Sequence, residues 1–129
     1  MPTVLVVDDS PVIRRVMSVT LEKNGYEVLL AEDGLEAIEV LEDLDSGIDI
    51  IFADINMPVM DGIAMLKEIR QNENFQHLPV VMLTAVGEER NRDIALREGA
   101  NTILTKPSSS SEIIATLQQL HNEEVTQYE

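Results

Sequence analysis

The chain has no cysteine and no tryptophan, only two tyrosines and two phenylalanines, and nine lysines and arginines against 24 acidic residues. Each shortage excludes something. Without cysteine there is no disulfide, no thiolate zinc site and no iron–sulfur cluster. Two distant histidines, His77 and His121, make no histidine-rich centre, so any metal must be bound by oxygen. A formal charge of −15 sets the average field against nucleic-acid backbones and anionic membranes, leaving proteins as the expected partners. The apolar runs span only a few residues, far short of the ~20 a membrane helix needs, and no basic-then-apolar leader opens the chain. The corresponding expectation is a soluble, cytoplasmic protein with one domain and one core.

What is present is a set of five short apolar runs: VLVV at 4–7, VLLA at 28–31, IIFA at 50–53, VVML at 80–83 and TILT at 102–105. Most are apolar at consecutive positions, the pattern of strands covered on both faces. Helix punctuation lies between them. Ser10 and Pro11 suit the N-cap and first position of a helix that stops near Gly25, and Asp33 with Glu36, and Ser109 with Glu112, have capping-box spacing. The spacing predicts buried stripes at Ile13, Val16, Met17 and Leu21; at Leu35, Ile38 and Leu41; at Ile63, Leu66 and Ile69; and at Ile113, Ile114, Leu117 and Leu120. A fourth helix, roughly 88–98, has only Ile94, Ala95 and Leu96 among charged residues, which makes it a candidate for movement. Met57, Met60 and Met65 read as packing.

Strand and helix thus alternate five times. Because such crossovers are right-handed, a (βα)5 chain forms a doubly wound parallel α/β sheet with helices on both faces and binds ligands at its carboxyl edge. The serine run at 108–111 starts the fifth helix, so one domain is expected over residues 1–122, with a frayed polar tail at 123–129 and no output domain.

The strand ends carry the chemistry. Asp8 and Asp9 follow the first strand, Asp54 the third, Thr84 the fourth and Lys106 the fifth, so the topology gathers three carboxylates, a hydroxyl and an ammonium at one rim. Three adjacent carboxylates resist ionising together unless a cation and the lysine compensate them. Magnesium, which takes few protein oxygens and keeps positions open for water and a phosphoryl group, fits best.

In these motifs, VLVVDDSP, DIIFADINMPVMDG, VVMLTA and GANTILTKP, the chain resembles the receiver domains of bacterial two-component response regulators, of the stand-alone CheY-like kind. The resemblance spans nearly the whole sequence. It implies a flavodoxin-like sheet in the order 2-1-3-4-5, the order of the chemotaxis receiver itself. It also implies that Asp54 is the phosphoacceptor, that Asp9, Asp54 and the backbone carbonyl of Asn56 bind Mg2+ directly (Mn2+ substituting), and that Asp8 acts largely through metal-bound water. Thr84 and Lys106 would hold phosphoryl oxygens. The implied donor is a phosphohistidine on a histidine kinase or histidine phosphotransfer protein. The readout would go to a downstream protein, with a phosphatase as a possible further partner, and a cis peptide would join Lys106 to Pro107. The Met1 start and short tail favour a stand-alone protein over a receiver cut from a larger regulator.

Two positions depart from the family pattern. Ile103, three before the lysine, stands where an aromatic usually moves inward, and Ser108 stands where a bulky apolar residue is common. The readout is therefore expected through Thr84, the loop Ala85, Val86 and Gly87, and the start of the fourth helix, with an Ile103 rotamer change as the alternative. Val86 is expected to face Asn56 across the site. In the turn NMPVMDG, Pro58 fixes a φ angle, Asp61 can cap the third helix and Gly62 tolerates close packing.

The main rival is a magnesium-dependent phosphatase of the haloacid dehalogenase type, which also uses an Asp nucleophile. Such enzymes place it after the first strand and put a second Asp two residues on; here that position is Asn56, which cannot protonate a leaving group. A flavin carrier would need free N–H groups where this chain has Asp8, Asp9 and Pro11. The expectation is a switch, not a turnover enzyme.

Overall fold

Apolar residues at consecutive positions need cover on both sides of a sheet, and the arrangement of the chain supplies it. A computed structural model describes residues 2–43, 47–106 and 108–127, with side chains to His121. The elements are β1 (Thr3–Val7), α1 (Pro11–Lys23), β2 (Glu27–Ala31), α2 (Gly34–Glu42), β3 (Ile50–Asp54), α3 (Gly62–Gln71), β4 (Val80–Thr84), α4 (Glu89–Arg97), β5 (Thr102–Thr105) and α5 (Ser110–Gln127). The strands form one parallel sheet in the order β2-β1-β3-β4-β5, as expected.

Alternate side chains of each strand feed two cores. Leu5, Val7, Ile51, Ala53 and Met82 face Ala37, Leu41, Met65, Leu66, Ile69 and Ala95 of α2, α3 and α4. Val4, Val6, Ile50, Phe52 and Leu83 face Met17, Leu21, Ile113, Leu117 and Leu120 of α1 and α5. Each fully buried large side chain stabilises the fold by ~1.5–3 kcal/mol, so β1, β3 and β4, buried along their whole length, are its most stable part. The outer strands depart from the expectation of cover on both faces: Leu30 in β2 is exposed and β5 is only half-buried, because the strand order puts both at the rim.

The caps follow the sequence. Ser10 Oγ accepts the Ile13 N–H at 3.3 Å with Pro11 at the first position, Asp33 Oδ1 accepts from Glu36 N at 2.8 Å, Asp61 Oδ1 from Ala64 N at 2.8 Å and Ser109 Oγ from Glu112 N at 3.1 Å.

The helix stripes are corrected in part. In α1, Met17 and Leu21 are buried, but Ile13 and Val16 are exposed, since Val16 lies about 100° around the helix from Met17 and Ile13 stands in the first turn, at the open edge of the sheet. In α2 the buried line is Gly34, Ala37 and Leu41, which leaves Leu35 exposed and Ile38 half-buried. In the third and fifth stripes Leu66, Ile69, Ile113, Leu117 and Leu120 are buried as expected while Ile63 and Ile114 are half-buried, and α4 is as lightly packed as expected, with Ala95 its one buried residue and no side-chain cap at its N-terminus. Helix α5 runs on to Gln127, past His121 where fraying was expected; nothing in NEEVTQ breaks a helix.

Candidate functional site

β1 and β3 are neighbours with Val7 beside Ala53, so Asp8, one residue beyond β1, and Asp54, the last of β3, arrive side by side at the carboxyl edge. Oxygens of Asp8, Asp9 and Asp54 lie within 4.8 Å of one another. Asp8 and Asp54 are buried and Asp9 is exposed, so the cluster has a dry floor and a wet mouth. Lys106, just past β5, is carried toward it because its N–H donates to the Thr84 carbonyl at 2.8 Å. Its Nζ lies 2.7 Å from Asp54 Oδ2 and 3.5 Å from Asp8 Oδ2.

Charge compensation is incomplete. Asp8 Oδ1 accepts the Ser10 N–H at 2.9 Å, but the buried Oδ2 has no hydrogen-bond partner among the described residues, only the looser ion pair with Lys106. Burial pushes the Asp8 carboxyl above its ordinary 3.8, and the charges of Asp54 and Asp9 push the same way, while the Ser10 N–H and Lys106 pull it back. Burial draws the Lys106 ammonium down, yet its hydrogen bond and attraction to Asp54, with the help of Asp8, outweigh this and hold it above 10.5. Asp54 Oδ1 accepts the Asn56 N–H at 3.2 Å.

Three hard oxygen donors, one orphaned buried oxygen and an open side fit a small divalent cation such as Mg2+. Thr84 Oγ1 is likewise buried with no hydrogen-bond partner among the described residues, and Thr84 lines a cavity of about 190 Å³ with Ala85, Val86, Gly87 and Thr105. Ile103 pairs with Met82 in the sheet and is half-buried against the core, away from that lining.

The residue that meets Asn56 is not Val86, which points into solvent, but Glu88: Asn56 Nδ2 donates to both of its carboxylate oxygens, at 3.2 and 2.9 Å. The sequence held no signal for this, because the conformation of the loop after β4 decides it. The turn after Asp54 also holds a surprise. Val59 has φ 68°, a conformation costly for a β-branched residue, in a tight turn where Met60 N–H donates to Pro58 O at 2.7 Å. The same turn presents the Met60 carbonyl to the Gly34 N–H at 2.9 Å. Gly62 is required by contact: a Cβ there would overlap the Asp54 carbonyl oxygen and lie 2.9 Å from Ile55 Cα. The expected cis bond before Pro107 lies outside the described residues.

A 2-1-3-4-5 parallel sheet with this acid cluster, hydroxyl and ammonium at its carboxyl edge has the architecture of a signal receiver. The family model of the response regulator receiver domain matches residues 4–118, and the chain belongs to that family, the phosphorylation-activated signalling switches of two-component systems. It is 40% identical over 104 residues to the chemotaxis protein CheY1 of Helicobacter pylori, covering 80% of this chain and 83% of that one. It is 34% identical over 120 residues to the DNA-binding transcriptional regulator RpaA of Synechocystis, covering 93% of this chain but 49% of RpaA, so it spans about half the length of such relatives. Among solved structures, the receiver domain of the Pseudomonas aeruginosa sensor histidine kinase PA1611, which has magnesium coordinated in its active-site cleft, superposes with a TM-score of 0.83 at 35% identity, over 92% of this chain and 95% of that one.

Proposed function

We propose that Asp54 is the phosphoacceptor of this receiver, charged by a phosphohistidine on a histidine kinase or phosphotransfer protein. The observation that carries the reading is the pairing of a buried Asp54 with Lys106 at 2.7 Å beside two further carboxylates. Asp8, Asp9, Asp54 and the Asn56 carbonyl would hold Mg2+, with Mn2+ as a substitute. The ion neutralises charge that would otherwise oppose an incoming phosphoryl group. An Asp54 oxygen attacks phosphorus, the O–P bond forms as the P–N bond breaks, and the electron pair of that bond returns to the imidazole nitrogen, which leaves as neutral imidazole with its proton on the other ring nitrogen. Lys106 and the buried Thr84 hydroxyl then take phosphoryl oxygens, which suits a reaction that needs positioning and charge more than covalent help.

The product is an acyl phosphate that water removes, so chemistry is confined to the protein's own charging and discharge. With Asn56 where a leaving-group acid would stand, the phosphatase reading finds no support. Residues 1–122 act as the receiver unit, in the cytoplasm, and the signal passes by protein contact, with neither nucleic acid nor membrane as the direct partner. Thr84, drawn toward the phosphoryl group, pulls the loop Ala85–Gly87, whose Gly87 at φ 89° absorbs the change, and the lightly packed α4 follows. The test is phosphotransfer from each labelled histidine kinase of the source organism. Label passing to the wild type and not to Asp54→Asn supports the assignment, whereas transfer to both refutes it.

A further inference from the structure

Glu88 stands at the N-cap of α4 yet makes no side-chain bond to the helix's free N–H groups. Its carboxylate instead reaches back to the segment after β3, where it accepts from Asn56 Nδ2 at 3.2 and 2.9 Å, and it also accepts from Asn91 Nδ2 at 3.2 Å. The two ends of this bridge are held differently. Asn56 follows Ile55, whose N–H is anchored to Leu83 O at 3.1 Å, and its own N–H touches Asp54 Oδ1. Glu88 follows three exposed loop residues, Ala85 to Gly87, and its backbone is held by its N–H to Ala85 O at 3.3 Å and by the Arg92 N–H to its carbonyl at 3.2 Å. The bridge therefore ties an exposed loop to the sheet edge through the residue whose own N–H contacts the Asp54 carboxylate.

We propose that Glu88 is a positioning residue for phosphorylation: its carboxylate latches the β4–α4 loop across the site through the Asn56 amide, and the phosphoryl group drives it off. The proposal rests on Asp54 as the acceptor. A phosphoryl group there adds close to two negative charges and three strong acceptor oxygens, which repel the Glu88 carboxylate and compete for the amide it holds. Release would free the loop that follows Thr84, whose buried hydroxyl has no hydrogen-bond partner among the described residues.

The experiment compares wild type, Glu88→Ala, Glu88→Gln and Glu89→Gln, the last removing the same charge from the exposed neighbour. Two readings are taken: the rate of phosphoryl uptake from acetyl phosphate with Mg2+, and, without metal, the NMR positions of the Asn56 side-chain amide and the backbone amides of residues 85–91. Glu88→Ala should move both sets of resonances and raise uptake about fivefold, the scale of one exposed charged contact. Glu88→Gln, which can still accept from Asn56, should rise less, and Glu89→Gln should stay within about twofold of wild type. The Glu88→Ala effect should vanish in an Asn56→Ala background. Unchanged Asn56 resonances in Glu88→Ala, unchanged uptake, or an equal rise in Glu89→Gln overturns the latch. No uptake by wild type, or uptake by Asp54→Asn, fails the acceptor assignment instead.

Discussion

Replacing Asp8 with asparagine should make the metal-free protein more stable. The amide keeps the shape of the side chain, and its oxygen can still accept the Ser10 N–H now bonded at 2.9 Å. The buried Oδ2, which has no hydrogen-bond partner among the described residues, becomes an NH2 able to donate into the neighbouring carboxylates. Leaving a buried polar group unsatisfied costs about 1–3 kcal/mol, and Lys106 at 3.5 Å offsets part of that, so the net gain should be about 1–2 kcal/mol. The pH dependence has the same sign. Because the folded Asp8 carboxyl sits above its ordinary value, ionising it costs folding free energy at neutral pH, and that cost disappears as the pH falls through the raised value. Lys106 shows no change in this range, since its contribution is lost only above its raised value in the alkaline region. The assay is urea unfolding at neutral pH with a chelator and again with millimolar magnesium. Without metal the variant's midpoint should rise at unchanged slope, and its melting temperature by about 3–5 °C per kcal/mol. With magnesium the wild type should gain by linkage and the variant much less. A variant less stable than wild type in chelator, or one with the full magnesium gain, refutes the reasoning.

Gly62→Ala should destabilise the fold by about 1–3 kcal/mol and slow phosphorylation, because the new Cβ can be accommodated only by moving the backbone of Asp54 and Ile55; unfolding and uptake rates of one preparation check both. Arg70 donates to the carbonyls of Gln76, Leu78 and Gly99 and to Asn101 Oδ1, with burial lowering its ordinary pKa, so Arg70→Lys, which lacks the planar fork, should cost about 2 kcal/mol in urea unfolding. Thr84→Ala should fold normally but lose the response of residues 85–95 when the phosphate mimic beryllofluoride binds. Wild-type shifts there, or shifts centred on Ile103, would exclude the loop route.

The strands, their order of chemistry and the residues at the rim were legible because each depends on local pattern: an apolar run, then Asp8, Asp54, Thr84 or Lys106 at its end. Ile13, Val16 and Leu35 were misplaced because helical spacing defines a face but not how much of it the sheet can cover, and that depends on which strands lie at the rim. Glu88 and Val59 left no trace in composition or spacing. Their roles come from loop backbone, where a single φ of 68° at Val59 or a turn at Gly87 decides which side chain meets which. Arg70 was missed for a related reason: its partners are backbone carbonyls, which any sequence supplies.

The central claim is that Asp54 alone receives the phosphoryl group. Its most direct test is incubation with acetyl phosphate and magnesium, reduction of the acyl phosphate with borohydride, and peptide mass spectrometry to find which aspartate has become homoserine. Homoserine is expected at position 54 only, and none in Asp54→Asn. Homoserine at Asp8 or Asp9 in the wild type, or a full-yield adduct on the variant, would contradict it.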